Sequence, residues 1–108
     1  MQNYSYSALF DFSKNIFLAI GCTKQNAQQA ATALLSADLR GIDSHGIARL
    51  NGYVRLWEVH RLKPNPDIKI VHETPSTAVV DGDAGPGLIV APVAMQIAIE
   101  KAKNAGTG

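Results

Sequence analysis

Apolar residues recur at helical spacing in four stretches of this chain, and β-branched residues cluster in two short runs between the third and the fourth. Leu9, Phe10 or Phe12, Ile16, Phe17 and Ile20 predict a first helix from Ser5 or Ser7 to Ile20, with Gly21 as its stop. Thr23 is a good N-cap for a second helix reaching about Arg40, whose apolar face reads Ala27, Ala30, Ala31, Leu34 and Leu35. That face is rich in alanine, so a neighbouring helix can approach closely, and Gly41 ends the helix. A third helix is expected to open within Asp43-Ser44-His45-Gly46 and run to about His60, with Ile47, Leu50, Val54 and Trp57 as its apolar stripe.

Leu62-Lys63-Pro64-Asn65-Pro66-Asp67 then breaks the helical pattern, because each proline disfavours helix at the residue before it. Ile68–Val71 and Thr77–Val80 read as two short antiparallel strands around a turn at Thr74-Pro75-Ser76. Asp81 to Gly87 is a loop. A fourth helix is expected to start between Leu88 and Pro92, so that Pro92 falls in its first turn, and to end near Ala105 before Gly106. The closing residues Lys103 to Gly108 look like a helix end leading into a further strand, and two strands alone leave open edges. The expectation is therefore a fragment of a longer polypeptide, of α+β class. Residues 1–60 would form an N-terminal helical subdomain, and 61–108 the start of a mixed α/β domain.

Composition narrows the function classes. The 108 residues carry ten Lys or Arg against nine Asp or Glu, without a basic run that would track phosphates. Nucleic acid and anionic membrane are poor partners for such a chain. The start MQNYSYSALF lacks a basic segment followed by an apolar one, and the apolar run Leu88–Met95 is too short to span a bilayer. Cys22 is the lone cysteine, so no internal disulfide is available and the cytoplasm is the expected compartment.

The densest group of reactive side chains is Gly41-Ile42-Asp43-Ser44-His45-Gly46-Ile47-Ala48-Arg49, between a helix stop and a helix start. On a continuous helix His45, Arg49 and Tyr53, spaced by four, share one stripe roughly 80° wide. This set suits an oxoacid. A guanidinium grips a carboxylate with two parallel bonds, and an imidazole can hand a proton to a carbonyl oxygen as hydride reaches its carbon. Ser44 can hold the imidazole or bond the carbonyl. The same residues also read as a plain helix cap at Asp43 or Ser44 followed by solvated charges, and spacing alone does not choose.

Other chemistry fits less well. His60 and His72 follow His45 at gaps of fifteen and twelve, which match no familiar metal-ligand spacing, so no metal is expected. A Cys–His protease of caspase type places its cysteine after the S-H-G histidine, whereas Cys22 precedes His45 and reads as a small buried residue. Gly82, Gly85 and Gly87 are spaced three and two, which is not the G-x-G-x-x-G order of a Rossmann turn.

The stretch Asp38-Leu39-Arg40-Gly41-Ile42-Asp43-Ser44-His45-Gly46-Ile47-Ala48-Arg49-Leu50 closely resembles the signature of the malate/L-lactate dehydrogenase-like family. This family includes ureidoglycolate, sulfolactate and diketogulonate dehydrogenases or reductases and is unrelated to the Rossmann-type malate and lactate dehydrogenases. The resemblance extends to the Gly21 turn, Leu62-Lys63-Pro64-Asn65-Pro66, the Val80-Asp81-Gly82 corner and the helix end at Ala98–Lys103. It implies a non-Rossmann fold and hydride transfer between NADH or NADPH and a small 2-keto or 2-hydroxy acid. It also implies a homodimer, and cofactor contacts that come mostly from beyond Gly108. His45 matches a residue assigned in some members as proton donor, with Ser44 supporting it; other members use a second histidine that lies beyond the equivalent of Gly108. Arg49 matches a carboxylate-binding residue, and Tyr53 a position that lines the substrate pocket. The residues 1–108 alone are then expected to be inactive. The rival reading is a non-catalytic helical interaction module, or an inactive family relative, using the alanine-rich second helix as its contact surface.

Overall fold

The computed structural model describes residues 2–108. Helix α1 spans Tyr6–Ala19, with the Ser5 hydroxyl accepting the Ala8 N–H at 3.2 Å, and helix α2 spans Lys24–Leu39, with the Thr23 hydroxyl accepting the Asn26 N–H at 3.2 Å. Each cap satisfies a donor that has no partner inside its helix and contributes about 1 kcal/mol. Between the two helices Gly21 adopts φ +109°, and the Cys22 N–H returns to the Phe17 carbonyl at 3.0 Å. Side chains at that φ are strained, so glycine is required for so tight a reversal.

The two helices pack along the expected alanine face. Ala27, Ala30, Ala31, Leu34 and Leu35 are all buried, and Phe17 fills the space that the alanines leave. Full burial of Phe17 or Leu34 contributes about 1.5–3 kcal/mol each. On α1 the buried stripe takes in Ser13 rather than Phe12, which is 55% exposed. Phe10, the other aromatic at that spacing, is half-buried.

The third expected helix is broken. Asp43–His45 and Ile47–Arg49 form separate 3₁₀ turns, and helix α3 covers only Leu50–Glu58. Gly46, at φ −92° and ψ −142°, lies outside the helical region and interrupts the helical path. His45, Arg49 and Tyr53 therefore do not share the expected stripe, since they fall in three separate elements rather than on one continuous α-helix. Within the stripe Leu50 is buried and Trp57 is 37% exposed.

Residues 61–67 bind back onto the α1–α2 corner. The Asn65 carboxamide accepts the Thr23 N–H at 3.0 Å and donates to the Gly21 carbonyl at 2.6 Å, while Pro64 lies where a Cβ on Gly21 would point. Strands β1 (Lys69–Glu73) and β2 (Ala78–Asp81) pair antiparallel, Lys69 opposite Asp81 and Glu73 opposite Ala78, with a register shift between Ile70 and His72. Both run slightly past the sequence reading, because paired Thr74 and Thr77 close the turn by themselves; the Thr74 N–H reaches the Thr77 carbonyl at 2.9 Å.

Helix α4 spans Gly87–Ala105 and ends at Gly106, φ +85°. It starts earlier than expected and carries Pro92 in its second turn rather than its first. Lys101 ties it to the hairpin through the Glu73 carboxylate at 2.9 Å and the Thr74 carbonyl at 2.6 Å. Ile89 joins α4 to the core beside α2.

The loop before α4 is held by Asp83, which accepts Lys63 Nζ at 2.9 Å and the Asp67 N–H at 2.9 Å. The Asp67 N–H first, and then Lys63, hold its carboxyl below the usual carboxylate range. A depressed folded pKa stabilises the fold above the ordinary carboxylate range, and that contribution is lost as pH falls through the folded value. Asp83→Asn should accordingly lower the melting temperature at neutral pH and match the wild type in strong acid. A melting-temperature gap that stays constant from neutral to acid pH contradicts this linkage.

Candidate substrate site

The 41–49 segment is exposed except at Gly46, which is buried, and Ile47, which is half-buried, and it is tied down at three points. The Ser44 hydroxyl lies 2.9 Å from His45 Nδ1. Arg49 Nε donates to the Ser44 carbonyl at 2.7 Å, folding the guanidinium back over the turn that holds the histidine. The Ile47 N–H donates to Asp38 Oδ2, at the end of α2, at 2.8 Å. Ser44, His45 and Arg49 thus form one hydrogen-bonded unit; the Ser44–His45 bond is one of the two roles the sequence offers Ser44, whereas the Arg49 bond to the Ser44 carbonyl has no sequence signal.

Each bond leaves a reactive atom available. With Nδ1 engaged by Ser44, His45 presents Nε2 outward. With Nε engaged by a carbonyl, Arg49 keeps both terminal amino groups, the pair that matches a carboxylate. Among the described residues the ion pairs are all made by lysines, so neither Arg49 nor Arg55 is neutralised by a carboxylate.

Arg49 opens onto a groove of ≈ 600 Å³ along α3, which it lines with Gly52, Tyr53, Arg55, Leu56 and Val59. Tyr53 is half-buried, its ring 6.1 Å from that of Phe17, so one side of the phenol belongs to the core and the other to the groove. Gly52 has open space where a Cβ would stand. A mostly apolar groove with a guanidinium at one end suits a small acid with a short carbon chain. Arg55 in the same groove was not anticipated from the sequence; as a charge on an amphipathic helix it looks like any solvated arginine.

Elsewhere the chemistry is quieter. Burial pushes the Cys22 thiol up, away from the reactive thiolate, which fits a packing role. Among the described residues no three His, Cys, Asp or Glu side chains gather as a metal site, and no helix is long and apolar enough to cross a membrane. Gly82 packs against Val90, and Gly85 against Pro66 and Val90, in the space a Cβ would need. Gly82 and Gly85 thus serve close packing between this loop, Pro66 and α4.

The fold recurs in known proteins. The sequence profile described as malate/L-lactate dehydrogenase matches residues 4–108, and the chain belongs to that family. It is 44% identical over 94 residues to L-sulfolactate dehydrogenase of Methanocaldococcus jannaschii, a match covering 87% of this chain and 27% of that protein. With hydroxycarboxylate dehydrogenase B of Escherichia coli it shares 37% identity over 105 residues, covering 97% of this chain and 29% of the relative. The solved malate dehydrogenase of Pyrococcus horikoshii superposes with a TM-score of 0.93 at 36% identity, over 97% of this chain and 30% of that one. The chain thus spans less than a third of the length of these relatives.

Proposed function

We propose that this chain contributes the substrate-side half of an oxidoreductase active site that interconverts a small 2-keto acid and its 2-hydroxy acid, with NADH or NADPH as the hydride partner. The observation that carries the reading is the bonded unit Ser44–His45–Arg49, which presents a proton-bearing nitrogen and a carboxylate-binding fork from one short turn. Arg49 takes the substrate carboxylate and fixes which face of the neighbouring carbonyl is open. In the imidazolium form Nδ1–H donates to the Ser44 hydroxyl, and Nε2–H passes its proton to the oxygen that gains charge as the carbonyl carbon is reduced. After transfer the Nδ1–H bond to Ser44 persists, so the ring keeps its orientation in both protonation states. Tyr53 lines the groove beside the carbon chain.

The names of the relatives support a hydroxy-acid substrate: they are malate, sulfolactate and hydroxycarboxylate dehydrogenases, matched over most of this chain. Gly82, Gly85 and Gly87 lack the G-x-G-x-x-G order of a dinucleotide turn, and in this reading other parts of the protein hold most of the nicotinamide, so that residues 1–108 alone are inactive. In this reading residues 1–60 are the substrate-bearing helical subdomain and 61–108 open the cofactor domain; the assembly is a cytoplasmic homodimer. The test is oxidation of NADH and NADPH by the intact gene product against a panel of 2-keto acids. Turnover of at least one is expected. A folded protein that turns over none, with related ketones and imines also tried, moves the reading to a binding module.

A further inference from the structure

We propose that Asp38 is the positioning residue of this site, holding the Ser44–Arg49 turn in its working shape from the end of α2; the proposal rests on the functional reading above. An acidic side chain in the last turn of α2 is on the wrong side of the helix dipole, whose C-terminal end repels negative charge. Nor does any described lysine or arginine pair with it. Its partners are instead in the loop. Oδ2 accepts the Ile47 N–H at 2.8 Å, the first amide after the break at Gly46. Both carboxylate oxygens also occupy the space that a Cβ on Gly46 would need.

These two contacts explain why the third helix is interrupted where it is. Gly46 is buried and held out of helical geometry with the Asp38 carboxylate lying against it, and the second 3₁₀ turn starts where that carboxylate receives the next amide. His45 immediately precedes this clamp and Arg49 follows it by three residues, with the Arg49 N–H closing back on the Gly46 carbonyl at 2.9 Å. A carboxylate that touches neither substrate nor cofactor in this account thereby sets the mutual placement of the proton donor and the carboxylate fork. Asp43 lies nearer to both residues in sequence, but no hydrogen bond from its side chain to the loop is formed.

The test uses the intact gene product and several readouts. Asp38→Ala should reduce kcat/KM for the 2-keto acid about 10- to 100-fold, as expected when reacting groups shift by about an ångström. The dissociation constant for NADH should stay unchanged. Asp38→Asn, which keeps an acceptor oxygen, should recover most of the loss. Gly46→Ala should be as damaging as Asp38→Ala, whereas adding it to Asp38→Ala should cost little more, because the methyl group then has room. Hydrogen exchange at the Ile47 amide should rise about 10-fold or more in Asp38→Ala. The proposal is overturned if kcat/KM is retained at a temperature where the variant is folded, if NADH affinity falls in proportion, or if Ile47 exchange is unchanged. Should the wild type turn over no 2-keto acid, the functional reading fails by itself, and the Ile47 exchange still decides whether Asp38 holds the turn.

Discussion

Replacing His45 by Gln in the intact gene product should lower kcat for 2-keto acid reduction about 10²- to 10⁴-fold, the range general acids supply. The carboxamide can still hydrogen-bond near Ser44, so the turn keeps its shape, but it cannot give up a proton at neutral pH. NADH affinity and the KM for the acid should move little, because neither depends on transfer of that proton. Retention of wild-type kcat would assign the proton to another group, and Ser44–His45 would then be only a bonded pair at the start of a turn.

Arg49→Ala should cost about 2–4 kcal/mol in kcat/KM for the 2-keto acid, the size expected when a charged, hydrogen-bonded anchor is removed. The Nε bond to the Ser44 carbonyl adds a second consequence, since its loss loosens the turn that carries His45. Arg49→Lys separates the two effects. Lysine keeps the charge but not the planar fork, so it should restore part of the affinity and little of the orientation. A comparison of the 2-keto acid with its methyl ester reads the anchor directly. The wild type should discriminate strongly between them, and Arg49→Ala should treat them nearly alike. Equal kcat/KM in wild type and Arg49→Ala would remove Arg49 from the site.

The sequence made the helices and the packing face legible because both depend on local periodicity. Ala27, Ala30, Ala31, Leu34 and Leu35 are buried as their spacing predicts, and Gly21, Gly41 and Gly106 all adopt positive φ at helix ends. What was not legible depends on contacts between segments. The third helix breaks at Gly46 through the Asp38 carboxylate eight residues earlier, which no window centred on 43–60 contains. Pro92 lies a turn deeper in α4 than expected, because Pro86 rather than a residue nearer Pro92 serves as the N-cap.

The candidate site shows the same division. Ser44, His45 and Arg49 were singled out by chemical type and by resemblance, and they do come together. The helical geometry first invoked for them is replaced by side chain-to-backbone bonds. Tyr53 proves to be as much a core residue against Phe17 as a groove residue. Asp38 stood in the quoted motif without a role. Its one sequence-level signal, an acid in the last turn of a helix, reads equally well as a solvated charge until its partner is seen.

The most direct test of the central claim is a crystal structure of the intact gene product with NADH and oxamate, an unreactive mimic of a small 2-keto acid. Both terminal nitrogens of Arg49 should lie on the oxamate carboxylate at about 2.7–2.9 Å. His45 Nε2 should lie within about 2.6–3.2 Å of the adjacent carbonyl oxygen. Oxamate bound beside the nicotinamide with His45 and Arg49 both turned to solvent would contradict it.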